Sequence, residues 1–349
     1  MTWDISVEGL NTRERQVLQA VIHCYVETAE PAGSRTIAKR FNLGVSAATI
    51  RNTMSDLEEK GYLYHPHTSA GRMPTDLAYR VYVDGLMERS RLTEQEASAI
   101  RREFHDQRYA IEDILQKAAQ VLGVLTQELG VAVAPSFDAA ILDRLELLPA
   151  ADERLLMVLL LRSGSAKTIF VEVDNAFPHQ ALTTLAGVLN ERLSGLNLRE
   201  IRSTLRERLR DVSIHPHEDE LLNIFVEEAD TIFHGSSSDG SPIVLSSATM
   251  LAEQPEFSSN DQMKNLLELT ERREVLRQAL QDRHEPGITV TIGGENLDPK
   301  LSTFTLVTST YVAGPLSGVL GVMGPTRMPY HKVVALVGHT SRLMSELAQ

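Results

Sequence analysis

At 349 residues the chain is too long for one ordinary core and suits two or three domains. Its 42% hydrophobic and 23% charged content is that of a soluble globular protein, and no apolar run reaches the roughly 18 residues of a membrane helix. The net charge of −13 argues against nucleic acid, but its distribution does not: Ser34–Arg80 is net +3, and screening confines charge effects to about 10 Å. The single cysteine, Cys24, excludes an internal disulfide, and the start Met1-Thr2-Trp3-Asp4 lacks a signal-peptide pattern, so a cytoplasmic protein without a membrane partner is expected.

In chain order, Asn11 and Glu14 predict a capping box. Val17, Leu18, Val21, Ile22, Tyr25 and Val26 then form one apolar stripe of a helix, with Cys24 as a packed thiol. Pro31 and Gly33 break the chain, and Ser34 is expected to cap a short helix to Phe41. A turn through Gly44 leads to Ser46, the predicted cap of a second helix ending before Gly61. Ile50, Met54 and Leu57 are its inner stripe; Thr49, Arg51, Asn52 and Ser55 are expected to face outward. Two short helices joined by a glycine-containing turn read as a helix-turn-helix, whose second helix reaches base edges in the major groove. Tyr62-Leu63-Tyr64 reads as a strand, and His65–Thr75 as a wing with Arg72 available for phosphate or the minor groove. Thr75 is expected to cap a helix that turns Tyr79, Tyr82, Val83 and Leu86 inward. Candidate DNA-binding residues are Ser34, Arg35, Ser46, Thr49, Arg51, Asn52, Ser55, His67, Thr68, Ser69 and Arg72. The competing reading is a plain helical module that binds protein.

Thr93 and Glu96 predict another capping box, followed by a long helical region interrupted near Asp106. Ile141–Leu148, Leu155–Leu161 and Thr168–Val173 suggest an antiparallel meander. Helical patterns follow around Gln180–Leu193, Leu198–Leu209 and Glu218–Phe233, and His234–Pro242 is a polar joint. Asp261–Asp282 reads as helix, Ile288–Ile292, Phe304–Val312 and Gly318–Met323 as strands, and Tyr330–Leu347 as a final amphipathic helix. Leu155–Leu161 suits either an oligomer interface or a strand buried in its own domain.

Catalytic signals are absent: there is no G-x-S-x-G, no H-E-x-x-H and no Cys/His cluster. Gly164-Ser-Ala-Lys167-Thr168 lacks the glycine that a phosphate loop needs before its lysine. Gly318, Gly321 and Gly324 fit close backbone packing better than a phosphate cradle. No cofactor or metal is expected, and the chain is not expected to be an enzyme.

Pro31–Thr36 (Pro-Ala-Gly-Ser-Arg-Thr), Ser46–Met54 (Ser-Ala-Ala-Thr-Ile-Arg-Asn-Thr-Met) and Pro66–Thr75 (Pro-His-Thr-Ser-Ala-Gly-Arg-Met-Pro-Thr) resemble the heat-inducible repressor family HrcA. So do Ile292–Asn296 (Ile-Gly-Gly-Glu-Asn) and Gly318–Tyr330 (Gly-Val-Leu-Gly-Val-Met-Gly-Pro-Thr-Arg-Met-Pro-Tyr). Ala78 departs from the family, where glycine is expected. The resemblance implies an α+β multidomain chain: an N-terminal winged helix-turn-helix at 1–90, a GAF-like α/β domain at 91–136 and 239–349, and an inserted α+β dimerisation domain at 137–238. It further implies a homodimer that represses chaperone operons at an inverted-repeat CIRCE operator in double-stranded DNA, supported by the GroE chaperonin. The alternative is a metabolite-sensing regulator whose GAF-like domain holds a small molecule.

Overall fold

Asn11 opens the first helix, α1 (Thr12–Thr28), through the expected capping box: its side chain accepts from the Glu14 amide at 3.0 Å, and Glu14 accepts from the Asn11 amide at 3.0 Å. The helix buries Val17, Leu18, Val21, Ile22 and Tyr25, with the Cys24 thiol packed beside them. The protein is seen here as a computed structural model that describes residues 9–66, 71–88, 90, 92–104, 111–136, 140–150, 154–162, 164, 166–173, 177–210, 216–227, 232–233, 243–271, 273–281, 283, 287–313 and 316–347.

Helix α2 spans Ser34–Arg40. Here the expectation needs correction: Gly33 is the N-cap and no side chain caps the helix, so Ser34 already lies in the first turn. Helix α3 (Ala47–Glu59) starts as predicted, with Ser46 Oγ accepting from the Thr49 amide at 3.2 Å. It ends in a Schellman closure. Tyr62 N donates to Leu57 O and Gly61 N to Glu58 O, both at 2.9 Å, and Gly61 supplies the required left-handed φ of +81°. Strands β1 (Leu63–Tyr64) and β2 (Met73–Pro74) pair antiparallel, and Arg72 bridges to Ala32 on the β2 side. Thr75 caps α4 (Asp76–Val81), which continues as a π-helical turn over Tyr82–Leu86.

Helix α5 (Glu94–Glu103) begins at the expected Thr93/Glu96 box, and α6 covers Ile111–Thr126. The interruption expected at Asp106 lies outside the described residues. Strand β3 (Leu129–Ser136) follows. Beyond it β4 (Leu142–Pro149), β5 (Arg154–Leu161) and β6 (Ala166–Glu172) form the expected meander in the order β4-β5-β6, with α7 (His179–Leu193), α8 (Leu198–Arg208) and α9 (Pro216–Glu227) after it. Alternation along β5 buries Leu155, Met157, Leu159 and Leu161 in one core with Leu182, Leu185, Leu189, Leu193 and Ile201. Asn190 on α7 ties that helix to β4, donating to Leu145 O at 2.8 Å and accepting from Leu145 N at 2.7 Å. The joint expected at His234–Pro242 is outside the described residues.

The chain returns as β7 (Ile243–Leu245), α10 (Thr249–Ala252), a 3-10 turn (Pro255–Ser258), α11 (Asn260–Glu271), α12 (Arg273–Gln281), β8 (Ile288–Ile292), β9 (Phe304–Ala313), β10 (Leu316–Pro325) and α13 (Tyr330–Leu347). Five strands make a sheet in the order β7-β3-β10-β9-β8. Two compact units result: one holds residues 1–132, 243–310 and 319–344, the other 133–242, 311–318 and 345–349. No helix among the described residues is long and apolar enough to cross a membrane.

Gly318, Gly321 and Gly324 are close-packing positions. A Cβ on Gly318 would collide with the Tyr311 ring, on Gly321 with Val307 O, and on Gly324 with the Glu128 carboxyl. Burial pushes the Glu128 carboxyl well above its ordinary range; a hydrogen bond from Gln254 Nε2 at 3.1 Å and the charge of Arg327 act the other way.

Two outcomes are expected. A raised folded-state pKa means that wild-type stability falls as pH rises above the ordinary value of 4.5. Glu128→Gln therefore raises the melting temperature at neutral pH, and thermal scans across pH should show the advantage shrinking as pH falls toward 4.5. Gly321→Ala, which forces β10 away from β9, should cost about 1–3 kcal/mol or more in denaturant unfolding.

Candidate nucleic-acid interface

Helix α3 has two chemically different sides. Ile50, Thr53, Met54 and Leu57 are buried where the helix packs on α1 and α2. Arg51 and Asn52 lie on the opposite side and are exposed, and neither is engaged by another side chain among the described residues. A guanidinium and a carboxamide one residue apart offer the donors and acceptors that guanine and adenine edges match. Arg35, Thr36 and Lys39 on α2 are also exposed.

Not every candidate faces solvent with them. The Ser46 hydroxyl is occupied as the helix cap and lies 3.0 Å from Thr49 Oγ1, and Thr49 is half-buried. Ser34 is half-buried in the first turn of α2. Ser55 turns toward the hairpin and accepts from Arg72 Nη2 at 3.4 Å. His67, Thr68 and Ser69 lie outside the described residues.

The sequence predicts Arg72 as a wing cation available for phosphate or the minor groove. Its side chain is instead folded onto α3: Nη2 pairs with Glu58 Oε2 at 2.7 Å, and Nη1 lies against His65 Nε2. The other His65 nitrogen, Nδ1, meets Glu58 Oε1 at 2.7 Å. Backbone bonds from Ala32 N to Arg72 O (2.8 Å) and from Arg72 N to Ala32 O (2.9 Å) fix the same residue to the segment before α2. Arg72 thus joins three pieces, the hairpin, α3 and the entry to α2. Glu58 and His65 were not among the sequence candidates. Ser55 and Glu58 are three apart, which puts them on one side of α3, but nothing local signals that the hairpin covers that side.

Lys60 makes a second brace. Its Nζ bonds both carboxylate oxygens of the buried Glu14, at 2.8 and 2.9 Å, and Gly9 O at 3.2 Å. Burial works against the Glu14 charge, but Lys60 and the Asn11 amide outweigh it and hold the carboxyl below its usual value. The end of α3 is thereby tied to the start of α1. Among the described residues no group of three or more His, Cys, Asp or Glu side chains is placed to hold a metal.

Comparison with known proteins places the chain in a family. The family model described as HrcA protein C terminal domain matches residues 112–334. The heat-inducible transcription repressor HrcA of Chlorobium phaeobacteroides (strain BS1) is 39% identical over 351 residues, covering 96% of this chain and 97% of that protein. That of Chlorobaculum tepidum is 39% identical over 354 residues, covering 98% of each. That of Geobacter sulfurreducens is 35% identical over 343 residues, covering 97% of this chain and 98% of that protein. A crystal structure described as that of a hypothetical protein shares the fold, with a TM-score of 0.58 and 22% identity over 97% of this chain and 98% of that one. The chain belongs to the HrcA family of heat-inducible transcription repressors.

Proposed function

We propose that the protein is a repressor of heat-shock chaperone operons that binds an inverted-repeat CIRCE operator as a homodimer. The observation that carries the reading is the exposed Arg51–Asn52 pair on a helix whose other side is buried and whose C-terminal part is braced by Lys60 and Arg72. In this reading α2, the turn through Gly44 and α3 are a helix-turn-helix, α3 is the recognition helix, and the β1–β2 hairpin is its wing. The exposed cations Arg35 and Lys39, with Thr36, suit phosphate contacts. Arg72 supports the site by holding the wing on α3.

The proposed division is a winged helix at 1–90, a GAF-like domain at 91–136 and 239–349, and a dimerising insert at 137–238. Its support is the chain path: the meander with α7–α9 is spelled between β3 and β7, which belong to the five-stranded sheet. The same meander supports a self-association surface. Pairing puts Leu148, Leu156 and Phe170 in one row and Glu146, Val158 and Thr168 in the next. Phe170 is 61% exposed and Leu148 39%, while Leu156, Val158 and Leu160 are half-buried. Such a contiguous apolar strip is what a second copy would cover. The two sequence readings of Leu155–Leu161 are therefore compatible, because alternate side chains serve the core and the outer surface.

The GroE dependence implied by the family fits a marginally stable repressor, whose folded fraction temperature and a chaperonin can shift. The protein then acts by occupying promoter DNA, without chemical turnover.

Arg51→Ala and Asn52→Ala should each cost about 1–3 kcal/mol of specific binding and narrow the gap to scrambled DNA. Titrations on both DNAs check this, and unchanged discrimination in both variants contradicts the assignment of α3. The wild-type chain should be a dimer by light scattering at about 10 µM, a range where specific dimers persist. Val158→Asp with Phe170→Asp should give a folded monomer with much weaker operator binding; an unaltered dimer removes this surface from the reading.

A further inference from the structure

Two sequence blocks remain without a role in DNA contact: Ile292–Asn296 and the end of Gly318–Tyr330. Both reach the N-terminal helices through an arginine. Arg80 on α4 donates from Nε to Glu295 Oε1 at 2.8 Å and from Nη2 to Val290 O at 2.6 Å, and its Nη2 also pairs with Glu295 Oε2. Asp84 Oδ1 takes Nη1 at 3.1 Å. Glu295 is itself held by the Ile292 amide at 2.8 Å. Four residues before Arg80, Asp76 Oδ2 accepts from the Gly294 amide at 2.9 Å. The contact demands Gly293, which has a φ of +52° and where a Cβ would overlap the Asp76 carboxylate.

Arg327 makes the second clasp. It follows β10 and grips Glu256 with both arms, Nε to Oε1 at 2.5 Å and Nη2 to Oε2 at 3.0 Å. Its Nη1 donates to Val26 O at 2.8 Å, a carbonyl in the last turn of α1. A cation there satisfies an orphan carbonyl and complements the helix dipole. Between the clasps the Tyr79 and Tyr330 rings lie 5.5 Å apart, both buried. Burial opposes the charge of each arginine, yet Glu295 and Asp84 in one case, and Glu256 in the other, outweigh it and hold both guanidinium groups above their ordinary value.

We propose that Arg80 and Arg327 are positioning residues for operator binding, fixing the angle at which α3 is carried and hence the half-site spacing that a pair of copies accepts. The proposal rests on the operator reading above. Within the one compact unit that holds both clasps, a single contact would leave the N-terminal helices a pivot, whereas two contacts at different helices remove it. The Arg80–Glu295 fork joins α4 to the later chain directly, while the Arg327–Glu256 fork aims the guanidinium whose Nη1 reaches Val26 O, so each constrains direction as well as distance. They grip α1 and α4, the two helices that flank the α2–α3 pair in sequence. Neither arginine needs to touch DNA, so their effect should appear in spacing and leave contact with a half-site intact.

The experiment compares the wild-type chain with Arg80→Ala/Arg327→Ala, and with Arg80→Lys/Arg327→Lys, which keeps charge and loses the fork. Spin labels on Glu59→Cys and Lys332→Cys, two exposed positions, with the buried Cys24→Ala, give the distance distribution across the clasps. Gel-shift titrations use the operator, operators with half-sites moved by about half a helical turn, and a single half-site. The expected result is a narrow distribution in wild type that broadens in both variants. Discrimination between native and altered spacing should fall by about tenfold while single half-site affinity stays within about twofold. Equal loss on every DNA would show a merely structural role and overturn the proposal, as would an unbroadened distribution with unchanged spacing discrimination. A wild-type chain without preference for the inverted repeat refutes the operator reading, and the distance distribution then decides the clasps alone.

Discussion

What α3 presents to solvent is set by what it buries. Ile50, Met54 and Leu57 are withdrawn completely or almost completely from water, each worth about 1.5–3 kcal/mol of burial. A helix of thirteen residues is marginal without such burial. Rotating α3 to hide Arg51 would expose that stripe, so the rotation is closed energetically and Arg51 and Asn52 stay outside together. Capping at Ser46 and the Schellman closure at Gly61 then fix where the helix starts and stops.

Three cations of the N-terminal module act as braces. Lys60 serves Glu14, Arg72 serves Glu58, and Arg80 serves Glu295 and Asp84. Among the described residues, the exposed cations outside these braces include Arg35 and Lys39 on α2, Arg51 on α3 and Arg13 on α1. A chain of net charge −13 can present a basic surface under these conditions because few positive groups are needed within one screening length. The buried Glu128 lies at the other extreme. Its carboxyl is packed under Gly324 and beside Gln254, where ionisation is opposed by burial.

The elements most legible in the sequence were those specified locally. Asn11 with Glu14, Thr93 with Glu96, Ser46 before its helix, Gly61 after it, and the period-two meander each follow from interactions spanning a few residues. The final helix Tyr330–Leu347 matches its apolar period at both ends. Ser34 misled because its type suits a cap, whereas the backbone turns one residue earlier, at Gly33. Strand β3 escaped notice because Leu-Gly-Val-Ala-Val-Ala-Pro-Ser carries small residues in place of the branched ones that mark strands. Strand β7 has only three residues and so no period to read. At the site, Arg51 and Asn52 follow from helical spacing, but the Glu58–His65–Arg72 group and the Arg80–Glu295 clasp do not. The partners in that clasp are 215 residues apart, and only tertiary packing brings them together.

The claim on which the account rests is that two copies of α3 occupy two half-sites. Chemical protection of guanine N7 and adenine positions on a chaperone-operon promoter, with the full wild-type chain, tests it most directly. The account predicts two protected major-groove patches related by a dyad, their centres one helical turn or a multiple of it apart, roughly 10–10.5 bp per turn. Protection of a single patch, of the phosphate backbone without base positions, or of no region at all would contradict it.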